Sequence, residues 1–164
     1  MTQPILHHSL PDEYLKAIGQ IVVYDNSLEI VLRNLIYALS GTEHDVVDAF
    51  VAGRRTKDLL KHVKSLYKLR ETDKALRKQV DDLMGKLEKI MERRDTIVHS
   101  AWGINLASSE LDVYRYKVRA NTSLERDLLP YSLEELHKLA DDQKTKIAEI
   151  GRIMTDYQSK NALS

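Results

Sequence analysis

The strongest constraint on the fold is a set of apolar residues that recurs at alternating spacings of four and three in the middle of the chain. The set comprises Leu76, Val80, Leu83, Leu87 and Ile90. Such spacing aligns side chains along one stripe of an α-helix, and a stripe of this kind packs against neighbouring helices. The pattern therefore predicts a long helix over about residues 72–99, with this apolar seam facing other helices.

Helical periodicity covers most of the remaining chain. Apolar spacing predicts four further helices, over about residues 11–39, 43–52, 56–69 and 132–157. Only six Gly and three Pro interrupt the chain, which favours long elements. We expect the two longest predicted helices in the first 100 residues to pack against each other as the spine of a bundle.

A different pattern follows the long central helix. Tyr and Val are enriched over residues 111–119, which is typical of a strand, and residues 102–106 are a suitable partner. We therefore predict a small β-hairpin near residues 102–119 and a loop over 121–130. The sequence predicts one mainly α domain over residues 1–164, with flexible tails at 1–10 and 158–164.

Several classes of site are excluded by what the sequence lacks. The chain has no cysteine, so disulfides, thiolate metal sites and cysteine nucleophiles are absent. We find no Gly-rich phosphate loop and no zinc-binding helix, and we expect neither a cofactor nor a metal site. With no signal peptide and no apolar stretch of membrane-spanning length, a cytoplasmic protein without membrane contact is expected.

Positive charge is concentrated in one segment although the whole chain has a net charge of zero. Residues 54–78 contain ten Lys or Arg and three acids. Four of the lysines form one stripe on the predicted third helix: Lys57, Lys61, Lys64 and Lys68. The stripe has two interpretations, a solvated helix face or a surface that binds RNA phosphates.

One charged residue interrupts the apolar seam. After Ile90, the same spacing leads to Arg94 and then to Ile97. An arginine on a seam is costly unless it is paired or lies at an interface, and an acid such as Glu29 on a facing helix would serve as its partner. Arg94 also lies near a helix C-terminus, where cations are favoured, so a simple terminal charge cluster is an alternative.

Proton transfer near neutral pH is available from His99, because an unperturbed imidazole has a pKa of about 6.5. Asp95, four residues earlier, shares a helix face with it. Arg94 and His99 are about 140° apart around a regular helix, so one straight helix does not aim both at one point. Their convergence requires a distorted helix end, a long reach by Arg94 or a second copy of the chain.

The segment Arg94-Asp95-x-x-x-His99 at the end of a long helix resembles the Arg-x(4–6)-His motif of the HEPN superfamily. In that motif the residue after Arg is commonly Asn, Asp or His, and Asp95 fits. The predicted helices over about 11–100 and 131–157 also resemble a HEPN bundle, with the hairpin as an insertion. The resemblance implies a homodimer in which the two 72–99 helices meet at a two-fold axis.

The resemblance also implies a function. Many HEPN proteins are metal-independent endoribonucleases, often toxins or antiphage defence factors, and others are non-catalytic modules that bind a protein, nucleotide or nucleic acid. Carried onto this chain, His99 would be the general base or acid, Arg94 would bind the scissile phosphate, and Asp95 would orient one of them. The lysine stripe would guide RNA.

Partners implied by the resemblance are RNA, a second copy, and an antitoxin or other protein. Some HEPN toxins carry a Tyr two residues after the motif His, which a nucleotidyltransferase antitoxin modifies. Ala101 stands at that position, so this form of control is not expected here. Three aromatic residues near the motif, Trp102, Tyr114 and Tyr116, either stack on bases or pack within the hairpin.

The two functions predict different surroundings for the motif. A ribonuclease predicts that Arg94 and His99 line an open, basic cleft at a dimer interface. A non-catalytic dimeric module predicts a buried Arg94 held in a salt bridge. A third function, simple nucleic-acid binding through residues 54–78, predicts a strongly salt-dependent affinity that His99→Ala does not change.

Overall fold

A mainly helical bundle is formed by the chain, as the apolar periodicity predicts. The structure, a computed structural model, describes residues 6–7, 10–105, 112–118 and 126–161. Within these ranges the helices are α1 (Asp12–Ser40), α2 (His44–Val51), α3 (Thr56–Arg70), α4 (Lys74–Val98) and α5 (Leu133–Asn161). The strands are β1 (Leu6–His7), β2 (Ala101–Asn105), β3 (Asp112–Val118) and β4 (Arg126–Pro130).

The apolar seam of α4 is buried inside the chain. Val80, Leu83 and Leu87 are at most 2% exposed, and Ile90 is 7% exposed. The expected spine of α1 against α4 is wrong, because α1 packs chiefly against α5 and α3 and meets α4 only over a short stretch. Single-helix periodicity shows which face of a helix is buried but not which helix covers it.

Two apolar clusters share the core. One contains most of the seam of α4 together with α2, α3, the second half of α1 and the end of α5. The other joins the first half of α1 and the start of α5 to the end of α4 and to Val113 of β3. Along α1, Ile21 belongs to the second cluster and Leu28 to the first.

The predicted hairpin is confirmed, and it belongs to a larger sheet. Strands β2 and β3 pair antiparallel, with Ile104 opposite Val113. The sheet has the order β1-β2-β3-β4, and β4 pairs with β3 over part of the segment that was predicted to be a loop. That loop prediction is wrong for Arg126–Pro130, because backbone pairing with β3 makes a strand of residues that show no clear alternation.

The ends of the chain differ in part from the expected tails. Leu6–His7 pair with β2, and α5 continues to Asn161, four residues beyond its predicted end at Tyr157. Residues 1–5, 8–9 and 162–164 of the predicted tails, and the connection over 107–110 between β2 and β3, lie outside the described residues. Whether the tails are flexible stays a prediction.

Aromatic contacts tie the sheet to the end of α4. The Trp102 indole N–H donates to the carbonyl oxygen of Ile97 at 3.0 Å. The same ring meets Tyr131 edge to face, with 5.5 Å between ring centroids, and the Tyr14 hydroxyl of α1 donates to the Tyr131 carbonyl oxygen at 3.3 Å. Trp102 therefore has the packing role, and the side chains of Tyr114 and Tyr116 lie outside the description.

Side chains satisfy the backbone at the helix ends. Asp73 caps α4 by accepting the Ala75 N–H at 2.7 Å, and Ser132 with Glu135 forms a capping box at the start of α5. Arg70 donates to the last carbonyl groups of α1, including that of Ser40 at 2.8 Å, where Gly41 ends the helix with a φ of 66°. No helix in the described ranges is long and apolar enough to cross a membrane.

Truncation of the α4 seam is expected to destabilise the bundle. Leu87→Ala removes a side chain that is 0% exposed and should lower the free energy of unfolding by about 3 kcal/mol. The matched control is Leu69→Ala, since Leu69 is 78% exposed and its truncation should change the free energy by less than about 0.5 kcal/mol. Equal effects of both variants in urea unfolding would contradict this assignment of the core.

Candidate functional site

Arg94 is held between two carboxylates. Its Nη2 lies 2.5 Å from Oδ2 of Asp25 on α1, and its Nη1 lies 2.8 Å from Oδ1 of Asp95 on α4. The side chain of Arg94 is 18% exposed. An ion pair within the chain therefore compensates the charge of Arg94 on the apolar seam. The partner is not Glu29, which pairs with Arg33 at 2.8 Å.

Asp25 is the buried member of this group, with 6% of its surface exposed. Burial raises the pKa of its carboxyl, the positive charge of Arg94 opposes the rise, and the negative charges of Asp95 and Glu29 add to it. Asp25 Oδ1 and Arg94 Nε are buried and have no hydrogen-bond partner among the described residues. The ion pair therefore satisfies only part of the hydrogen-bonding capacity of each side chain.

Asp25 was not predicted as a site residue from the sequence, although the apolar spacing of α1 indicates that its position is unusual. Ile21, Leu28 and Leu32 are fully buried, and Asp25 occupies the place that the same four-and-three spacing gives to an apolar residue. Two buried seams, on α1 and on α4, are therefore each interrupted by one charged residue of opposite sign. This complementarity marks Asp25 as a candidate partner of Arg94, and the structure shows that the two are paired.

His99 lies where α4 stops. Helix α4 ends at Val98, and His99 has φ −96° and ψ 8°, with its backbone N–H donating to the Asp95 carbonyl oxygen at 3.1 Å. The His99 side chain is exposed and makes no hydrogen bond or ion pair within the described part of the chain. Its imidazole is thus accessible to a ligand.

Arg94 and His99 line one cleft of a single chain. The cleft has a volume of about 570 Å³ and lies between α1, α3 and α4. Helix α1 contributes Asp25 and Glu29, and α3 contributes Arg55, Thr56, Lys57 and Leu60. The remaining wall, from α4 and its last turn, consists of Glu88, Met91, Glu92, Arg94, Asp95 and His99. Arg94 and His99, which a regular helix places about 140° apart around its axis, therefore border the same cleft.

Charge in the cleft is mixed, with five carboxylates and three permanently cationic side chains. Arg94 is neutralised by its two acids, so the cations without a partner among the described residues are Arg55 and Lys57. Glu92 is the carboxylate that likewise lacks a partner in those ranges. The described residues include no group of three His, Asp or Glu placed to hold a metal ion.

The lysine stripe does not act as one free cationic surface. Lys57 borders the cleft, whereas Lys61 pairs with Asp58 at 3.5 Å and Lys64 pairs with Glu88 of α4 at 3.3 Å. Lys68 is exposed at the far end of α3. Arg55, which was not a predicted site residue, lines the cleft with the motif, whereas Lys61, Lys64 and Lys68 do not.

These surroundings combine features of both functions considered from the sequence. Arg94 and His99 line an open cleft, as expected for a ribonuclease, but the cleft lies within one chain and the expected dimer interface stays a prediction. Arg94 is also largely buried and salt-bridged, as expected for a non-catalytic module, and the cleft is not uniformly basic.

The raised pKa of Asp25 predicts a pH dependence of stability. The folded state binds the carboxyl proton of Asp25 more tightly than the unfolded state does, where the pKa is near 3.8. Ionisation of Asp25 therefore lowers the stability of the fold as the pH rises from about 3.8 through the higher pKa of the folded state. Wild type should therefore gain stability relative to Asp25→Asn as pH is lowered from about 7 to about 4. Urea unfolding of both proteins at several pH values measures this difference, and a difference that is constant or shrinks contradicts the prediction.

Comparison with known proteins adds no relative: no protein family, no curated protein and no solved structure matches the chain.

Proposed function

We propose that this chain is a metal-independent endoribonuclease of HEPN type. The observation that carries the proposal is that His99, with an exposed and unpartnered imidazole within the described residues, lines the same cleft as Arg94. A group able to transfer a proton near neutral pH and a fixed guanidinium on one cleft are the minimum that phosphodiester cleavage by a ribose 2′-OH requires.

The reaction needs no external nucleophile. The ribose 2′-oxygen attacks the neighbouring phosphorus, its proton goes to the His99 imidazole, and the bond to the 5′-oxygen of the next nucleotide breaks. The products are a 2′,3′-cyclic phosphate and a 5′-hydroxyl, whose proton comes from water or from an imidazolium. Arg94 would stabilise the charge that develops on the phosphoryl oxygens, and Asp95, bonded to Arg94, would orient it.

Free cations at the start of α3 support binding of a polyanion. Arg55 and Lys57 are exposed, have no ion-pair partner among the described residues and line the same cleft as the motif, where they would contact RNA phosphates. The rest of the lysine stripe would contribute less, since two of its members are already paired. An activity of this kind would suit a cytoplasmic toxin or an antiphage defence factor.

The double ion pair of Arg94 favours a second candidate. A guanidinium that already has two carboxylate partners has little net charge to offer a phosphate, which suits a non-catalytic module that binds a protein, nucleotide or nucleic acid. The first candidate cleaves RNA by means of His99, whereas the second cleaves no RNA. Cleavage by wild type and by His99→Ala therefore distinguishes them.

A homodimer is part of the proposal. The apolar seam of α4 is used inside the chain, so contact between two α4 helices would depend on their exposed polar residues, among them Asp82, Lys86 and Lys89. Contact through α4 would bring a second His99 near the first cleft, where it could protonate the leaving oxygen.

Light scattering should give twice the monomer mass at micromolar concentration, and a monomer would contradict a shared site.

Replacement of His99 should abolish cleavage. Wild type is expected to cleave a mixed single-stranded RNA in the presence of EDTA and to leave cyclic phosphate ends, and His99→Ala should be slower by at least about a hundredfold. The corresponding DNA should remain intact, because it lacks the 2′-hydroxyl group. The measurement is the initial rate of product formation, with end groups identified by mass spectrometry.

The matched control is His62→Ala. His62 lies on α3, packs edge to face against Phe50 with 5.1 Å between ring centroids, and does not border the cleft. The His62→Ala variant should cleave RNA at the wild-type rate. Equal activity of His99→Ala and wild type would remove His99 from the mechanism, and inactivity of folded wild type toward RNAs of varied sequence would favour the binding module.

A further inference from the structure

The group formed by Asp25, Arg94 and Asp95 has a formal charge of −1 when both acids are ionised. A phosphate that approaches Arg94 therefore meets a guanidinium whose charge is more than compensated. In a partly buried site this matters, since charges interact more strongly there than in bulk water. Binding of an anion at Arg94 requires that one carboxylate move away or be neutralised.

The two carboxylates differ in their freedom to do so. Asp95 has a side chain that is 60% exposed, so it can rotate into solvent and release Arg94 at small cost. Asp25 has a side chain that is 8% exposed and lies on α1 between two apolar clusters. Asp25 is therefore much more enclosed than Asp95, and its charge stays beside Arg94.

Arg94 nevertheless retains groups with which to bind a ligand. A guanidinium has five N–H donors, and the structure uses one on Nη2 for Asp25 and one on Nη1 for Asp95. Arg94 Nε also has no partner among the described residues, but it is buried, so the donors left for a ligand are the second N–H groups of Nη1 and Nη2. The contact with Asp25 thus fixes the direction of the side chain while leaving donors available.

We infer that Asp25 is a positioning residue that aims Arg94 into the cleft and, through its fixed negative charge, limits the affinity of Arg94 for a phosphate. The identity of the ligand as an RNA phosphate rests on the proposed function. The inference about Asp25 itself rests on the ion pair, on the burial of Asp25 and on the cleft that both side chains line. Removal of the charge with retention of the shape should strengthen binding.

The test measures the affinity of a short, fluorescently labelled 2′-O-methyl RNA by anisotropy. This RNA cannot be cleaved by attack of a 2′-hydroxyl group, so the result does not depend on catalysis. Asp25→Asn keeps an oxygen acceptor for Arg94 but loses the charge, and it should lower the Kd by about tenfold. The gain should vanish in the Arg94→Gln background, where Asp25→Asn should change the Kd by less than about twofold.

Two further variants separate charge at this position from charge in general. Asp25→Glu keeps the charge and should not bind more tightly than wild type. Glu29→Gln removes a carboxylate from the same wall of the cleft, one that is paired with Arg33, and should change the Kd by less than about twofold. If Asp25→Asn does not fold, Asp25→Ser tests the same loss of charge, and circular dichroism establishes that each variant is folded.

The outcomes are distinct from those of the cleavage experiment. A gain in affinity that depends on Arg94 supports the role of Asp25 even if wild type cleaves no RNA. Unchanged or weaker binding by the folded neutral variants, a gain of equal size without Arg94, or no binding by any variant overturns it. None of these results alters the conclusion from His99→Ala, because that conclusion is drawn from the rate of cleavage.

Discussion

The ion pair between Arg94 and Asp25 is the interaction on which the rest of the site depends. It crosses between α4 and α1, two helices that otherwise meet only over a short stretch. It also lies where the two apolar clusters of the core adjoin on α1, since Ile21 before Asp25 belongs to one cluster and Leu28 after it belongs to the other. Loss of Arg94 would leave the buried carboxylate of Asp25 without its ion-pair partner, and breaking a buried pair in this way typically costs about 3–5 kcal/mol.

The end of α4 is the second determinant of the site. His99 directly follows the last residue of α4, its N–H donates to the Asp95 carbonyl oxygen, and it borders the cleft together with Glu92 and Asp95. Trp102 of β2 donates to the Ile97 carbonyl oxygen and packs against Tyr131. The hairpin is thus joined to the helix end that carries the motif.

Electrostatics divides the cleft into unlike walls. The start of α3 supplies the cations that remain free within the described residues, Arg55 and Lys57, whereas α1 and α4 supply the carboxylates. The motif arginine lies on the acidic side and is compensated there. A ribonuclease with this arrangement would gain most of its affinity for phosphates from α3 and would use Arg94 for orientation and for the charge that develops during reaction. A binding module would use Arg94 as structural support only.

The sequence by itself determined the helices, the hairpin and the anomaly of Arg94, because periodicity and residue type are local properties that each segment carries alone. It also held the matching anomaly of Asp25, but two interruptions on separate helices become a pair only when the helices are placed side by side. Tertiary structure decided which helices pack together, that β4 is a strand, that Lys61 and Lys64 are paired, and that Arg94 and His99 share a cleft. Each of them depends on distances between residues far apart in the chain, and local spacing does not contain those distances.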